Sequence, residues 1–247
     1  MNDTLIRSIA ADFWRMVGSP TTFPRNLEAS VLWALPLAVV KIPRLRVQGV
    51  REWLERDGFA SVVPAVEREL RACVVASRGR GVVFLDGADA DDEQRLSLAH
   101  ELAHFLLDYL IPRDRAIKTF GESILPVLDG DRPATPEERL SAVLRGVHIG
   151  VYSRLWHRGP SGLAEDAEVV AREDAADVLA LEILAPRREI VARARLNTRH
   201  RRSDSVARVL EVEFGLPGST AKAYADVLCV STRPAKSVRA WLGMKRT

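Results

Sequence analysis

Residues 91–110 read DDEQRLSLAHELAHFLLDYL, and this stretch decides how the rest of the chain is read. Leu98, Leu102, Phe105 and Tyr109 recur at steps of four, three and four, the spacing of one helical face. Glu93, Ser97, His100, Glu101, His104 and Asp108 form a second, polar stripe. On a helix this apolar, such a stripe faces solvent or a site and not the core. Asp91 with Gln94 three residues on can cap its start, and Pro112 lies just past its end. The spacing therefore predicts a helix from about Asp91 to Leu110.

His100-Glu101-Leu102-Ala103-His104 is an HExxH motif in the middle of that helix. Residues four apart share a face, with Cβ atoms roughly 6 Å apart. Two imidazoles so placed can converge on one tetrahedral Zn²⁺ at about 2.0–2.1 Å each. Glu101, turned about 100° round the helix from His100, is no ligand but stands within reach of the attacking water as a general base.

A catalytic zinc needs a third protein ligand and one open position. The metzincin continuation would need glycine at 107 and histidine at 110; both positions are leucine, which excludes that class. The remaining source is a carboxylate on a second helix. Residues 164–184 predict one that ends before Pro186 and offers Glu165, Asp166, Glu168, Glu173, Asp174 and Asp177. Glu173 and Asp177 share a face with Ala176 and Ala180, whose small side chains permit close packing on the histidine helix. The favoured arrangement has Glu173 on the metal and Asp177 accepting a histidine N–H; Asp108, one turn past His104, competes for that supporting place.

Outward from this pair, residues 5–17 and about 25–35 predict amphipathic helices, Pro36–Ile42 a short strand, and Val47–Arg56 another helix. Ala72–Ala76 and Val82–Leu85, joined by Ser77-Arg78-Gly79-Arg80-Gly81, predict a β-hairpin. Residues 112–135, with prolines at 112, 126 and 133, read mainly as loop. Thr135-Pro136-Glu137-Glu138 predicts a capped helix running to about Trp156.

Composition limits the function classes. A net charge of +3 makes the whole chain no strong polyanion binder, although eight arginines between Arg187 and Arg208 face only Glu189 and Asp204. That run is read first as a solvated helical face. The two cysteines, Cys73 and Cys229, form no spaced cluster. No signal-peptide order opens the chain, and the most apolar window, Val31–Val40, is too short to cross a bilayer. The expectation is a cytoplasmic protein with no membrane partner.

The histidine helix and a second pattern, Glu173-x-x-Ala176-x-x-Leu179-Ala180-x-x-Ile183-Leu184-x-Pro186, together resemble the ImmA/IrrE family of metallopeptidases over roughly residues 36–186. Leu179 stands where that family usually has phenylalanine. The long separation of His104 from Glu173 makes residues 112–163 look like an insertion, and no evident helix-turn-helix precedes the peptidase region.

The resemblance implies a gluzincin-like site with Glu173 as the glutamate ligand, and a protein substrate, typically a transcriptional repressor or similar regulator. The expected architecture is α+β, mainly helical: a zincin-like core with a small sheet packed on the HExxH helix. Its expected limits are a helical segment at 1–35, the peptidase domain at 36–186 and a basic helical region at 187–247. In zincin folds an edge strand commonly aligns the peptide, and Val82–Leu85 is the candidate. Tyr109, Tyr152, His148 and His157 are conceivable donors to the oxyanion, and sequence does not choose among them. The alternative reading is a DNA-associated regulator with a structural or inactive zinc site, contacting nucleic acid through 187–228. There Phe214-Gly215-Leu216-Pro217 would be the turn between two helices.

Overall fold

The computed structural model describes residues 3–56, 67–141, 143–157, 167–194 and 203–229. In chain order the elements are α1 (Asp3–Met16), α2 (Leu27–Ala34), β1 (Leu37–Ile42), α3 (Val47–Arg56), β2 (Leu70–Ser77), β3 (Arg80–Asp86) and α4 (Asp91–His104). A π-helical turn, Phe105–Leu110, leads directly into α5 (Ile111–Phe120), followed by α6 (Leu125–Leu128) and α7 (Pro136–Leu140). Then come β4 (Tyr152–His157), α8 (Ala167–Leu184), α9 (Arg187–Arg193), α10 (Ser203–Val212) and α11 (Gly218–Cys229). The fold is α+β and mainly helical, with one small mixed sheet. No helix among the described residues is long and apolar enough to cross a membrane.

The chain divides into two compact units. One gathers α1, α2, α4 up to His100, and α8 to α11; the other gathers the four strands, α3, the chain from Glu101 onward through α5, α6 and α7.

In the sheet-bearing unit the strand order is β1-β3-β2-β4. β3 runs parallel to β1 and antiparallel to β2, and β2 antiparallel to β4. Arg78 and Gly79, both at positive φ, make the two-residue turn of the β2–β3 hairpin. The expectation that Val82–Leu85 is an edge strand is wrong, because those residues pair on both sides. Their unbroken apolar run is what burial on both faces requires, and Val83, Phe84 and Leu85 are almost wholly buried. Among the described residues the edges are β1 and β4.

One face of the sheet, through Cys73, Val75, Val82 and Phe84, joins Leu45, Val47, Val50 and Leu54 in a core. At β3 the chain comes very close to the π-helical turn. A Cβ on Gly81 would lie 2.7 Å from Leu37 Cδ1 and 2.9 Å from Phe105 Cε2, so a side chain there has no room.

Two further expectations are corrected in this unit. Residues 112–135 are largely helical: α5 continues from the π-helical turn that accommodates Pro112, and Pro126 stands at the first turn of α6, where the missing N–H costs nothing. Ala116, Ile124, Val127 and Leu128 make a small core of their own with Leu144. The helix expected from Thr135 does open with a capping box between Thr135 and Glu138, but it ends at Leu140. Gly146 and Gly150 interrupt it, and the side chains of Tyr152 and Leu155 suit the strand that follows.

In the helical unit α8 packs along α1. Ile6, Ala10, Phe13 and Trp14 are buried on α1, as are Ala176, Leu179, Ala180 and Ile183 on α8. The Trp14 indole N–H donates to the Ile183 carbonyl at 3.0 Å. Arg95, on the first part of α4, donates to the carbonyls of Phe214 and Gly215, in the turn between α10 and α11.

Candidate metal centre

α4 passes into the π-helical turn without a break, and His100, Glu101 and His104 are all buried. The π-helical turn has a local cause. Pro112 would press its ring on the carbonyl of Asp108 four residues back in a regular α-helix, and a widened turn relieves that clash. The helix therefore runs through Pro112 to Phe120, ten residues beyond the expected end at Leu110. It is also the turn that carries Asp108.

Each histidine meets a carboxylate through Nδ1. His100 Nδ1 lies 2.9 Å from Asp177 Oδ1, and His104 Nδ1 lies 2.8 Å from Asp108 Oδ2. An ionised carboxylate only accepts, so in both rings Nδ1 carries the proton and donates it. That leaves both Nε2 lone pairs as ligand donors, the arrangement usual for metal-bound imidazoles.

Glu173 Oε2 stands 3.6 Å from His100 Nε2. This is too long for a hydrogen bond but close to the separation of about 3.3 Å between two ligands on a tetrahedral ion with bonds of about 2.0–2.1 Å. One ligand atom from each of His100, His104 and Glu173 lies within 4.8 Å of the other two. Two imidazoles and a carboxylate with a gap of this size suit a zinc ion, whose fourth position would remain for water or substrate.

The other residues named from sequence fall in varied places. Tyr109 is buried, and its hydroxyl accepts from the Gly79 amide at 2.8 Å. His148 is exposed, with Nε2 2.8 Å from the Val151 carbonyl. Tyr152 is buried at the start of β4 and donates its hydroxyl proton to Asp108 Oδ2 at 3.2 Å. The side chain of His157 lies outside the described residues, as do Glu165 and Asp166. Glu168 pairs with Arg172 at 2.7 Å on an exposed part of α8. Burial, and secondarily the charge of Glu101, push the Cys73 thiol well above its ordinary range, so it is an inert core residue.

Sequence reasoning did not find the link between Tyr152 and Asp108. One signal was available: a proline four residues after an aspartate that itself follows a histidine by four marks a distorted turn beside the site.

No curated protein and no solved structure matches the chain. Residues 65–124 match the family described as the IrrE N-terminal-like domain, Peptidase_M78. The match takes in β2, β3, α4, the π-helical turn and α5, and ends before α8 and Glu173. It supports a metallopeptidase-like function. Over that segment the β-hairpin and the histidine helix are similar to the Peptidase_M78 family of IrrE N-terminal-like domains.

Proposed function

We propose that this protein is a zinc-dependent endopeptidase in which His100, His104 and Glu173 hold the metal and Glu101 is the general base. The observation that carries the reading is the pair of histidines whose Nδ1 atoms are both engaged by carboxylates, beside a glutamate oxygen 3.6 Å from the ligand face of one of them. A bound zinc would polarise the scissile carbonyl and bring the attacking water's pKa to near ~7. Glu101, between the two histidines in sequence and fully buried, takes the water's proton and passes it to the leaving amine. Asp177 and Asp108 keep the imidazoles in the tautomer that binds metal.

A peptide substrate would align by backbone pairing along β4, an edge of the sheet that begins with Tyr152. The substrate class we favour is a transcriptional repressor or similar regulator, in a cytoplasmic setting that suits Cys73 and Cys229, which form no disulfide. The DNA-associated alternative has one favourable feature, the helix–turn–helix order of α10 and α11. Its second helix exposes Ser219, Lys222, Asp226 and Val227, a face with one cation against one carboxylate, which gives little hold on a phosphate backbone.

The test is incubation of zinc-loaded protein with the regulators encoded beside it, read by intact mass. Cleavage by the wild type, with Glu101→Gln keeping its zinc but slowed by about 10²–10⁴-fold, is the expected result. Undiminished turnover in Glu101→Gln would remove the proposed mechanism.

A further inference from the structure

Tyr152 and His104 share one acceptor atom. Asp108 Oδ2 takes the His104 Nδ1 proton at 2.8 Å and the Tyr152 hydroxyl proton at 3.2 Å. A phenol has one proton to give, so at Tyr152 it is committed to Asp108 and not directed at an oxyanion. The ring is held as well as the hydroxyl. It lies 5.9 Å from the Tyr109 ring at 31°, and the His148 ring meets it edge-on at 5.3 Å. Burial first, then the charges of Asp108 and Glu101, push the phenol far above its ordinary value, so it stays protonated and remains a donor.

The position of Asp108 explains why a second donor matters. It stands on the π-helical turn, one turn past His104, and the imidazole is its contact from its own helix. A single hydrogen bond from an imidazole leaves such a carboxylate free to swing about that contact. A second donor, arriving from β4, fixes its orientation.

We infer that Tyr152 is a positioning residue of the metal centre: its hydroxyl holds the Asp108 carboxylate in the orientation that keeps His104 protonated on Nδ1, with Nε2 turned toward the metal. This rests on the zinc reading given above. Tyr152 then acts on metal affinity and on the metal's coordination geometry, through Asp108, and not on the transition state directly.

The variant Tyr152→Phe keeps the ring and removes only the hydroxyl. In chelator competition its zinc affinity is expected to fall about 3- to 10-fold, less than the about 10–100-fold typical when a supporting carboxylate is itself lost. Cobalt(II)-loaded Tyr152→Phe should show altered d–d absorption bands. Nitrogen-15 NMR of the metal-free variant should show His104 as a mixture of tautomers where the wild type has one. His148→Ala touches the same ring but not the hydroxyl, so it should leave zinc affinity unchanged.

Wild-type zinc affinity, cobalt spectrum and His104 tautomer in Tyr152→Phe would overturn the inference. So would an equal loss in His148→Ala, which would assign the effect to ring packing. A selective fall in kcat with unaltered metal affinity would make Tyr152 an oxyanion donor instead. Failure of the zinc reading is a distinct outcome: the wild type itself would then bind no zinc, while the tautomer measurement on metal-free protein would still report on the contact between Tyr152 and Asp108.

Discussion

The two histidines of one motif are oriented by unlike devices. His100 depends on α8: Asp177 meets its Nδ1 and Glu173 faces its Nε2, from 77 and 73 residues further along the chain. His104 depends on its own helix, through Asp108 at the next turn, with Tyr152 of β4 behind that carboxylate. The local device exists wherever the π-helical turn forms. The distant one exists only when α8 is docked on the rest of its unit, because Glu173 and Asp177 arrive together on that helix. Under the proposed function, metal binding would be linked to the docking of α8 and more weakly to the His104 arm.

The largest effects test whether the two arms serve one ion. His100→Ala and His104→Ala should each take the protein from about one zinc per chain to essentially none, since two ligands hold a catalytic zinc poorly. Glu173→Ala should follow closely, well ahead of Asp177→Ala. Full zinc occupancy in His104→Ala, measured by elemental analysis, would show that the two histidines do not share a metal. If Asp177→Ala proves more damaging than Glu173→Ala, the ligand moves one turn along α8.

The supporting carboxylates give the next effect. Asp177→Ala and Asp108→Ala should each weaken zinc by about 10–100-fold in chelator competition. The comparison sharpens in how the variants differ: loss of Asp177 should loosen α8 in the metal-free protein, while loss of Asp108 should not. Equal amide exchange along α8 in the two variants would break that distinction.

Zinc itself should stabilise the fold by about 2.7 kcal/mol at a free concentration one hundred times its Kd. The accompanying gain in exchange protection should concentrate in α8 and in α1, which packs along it. Protection confined to the π-helical turn would place the linkage on the wrong arm.

The smallest effect concerns the anchor of α8. Trp14→Phe removes the indole donor to the Ile183 carbonyl, found at 3.0 Å, and should cost about 1 kcal/mol of stability by denaturant titration. Zinc affinity should fall only slightly, and the His104 tautomer should not change. A change at His104 from this substitution would mean that the two arms are coupled more tightly than their contacts indicate.

Periodicity and residue chemistry alone determined the histidine helix, the β2–β3 hairpin and the Thr135 capping box, and they nominated His100 and His104 as candidate metal ligands with Glu101 as the candidate base. Each of these is written within a few turns of chain, where side-chain spacing and backbone preference act directly. Asp108 was legible for the same reason, being one turn from His104, and it was left competing with Asp177 because spacing cannot say which histidine a carboxylate meets.

Only the tertiary structure decided that each histidine has its own carboxylate, that among the described residues β3 is central and β4 an edge, and that Tyr152 reaches Asp108. The same holds for residues 112–157, where proline and a cap were read by their usual local meaning. There Pro112 lies within a helix that continues, Pro126 starts one, and a well-capped helix stops after one turn so that a strand can complete the sheet. Strand order and long-range side-chain meetings depend on which apolar faces bury each other. That choice is made among all elements at once, and no window of sequence contains it.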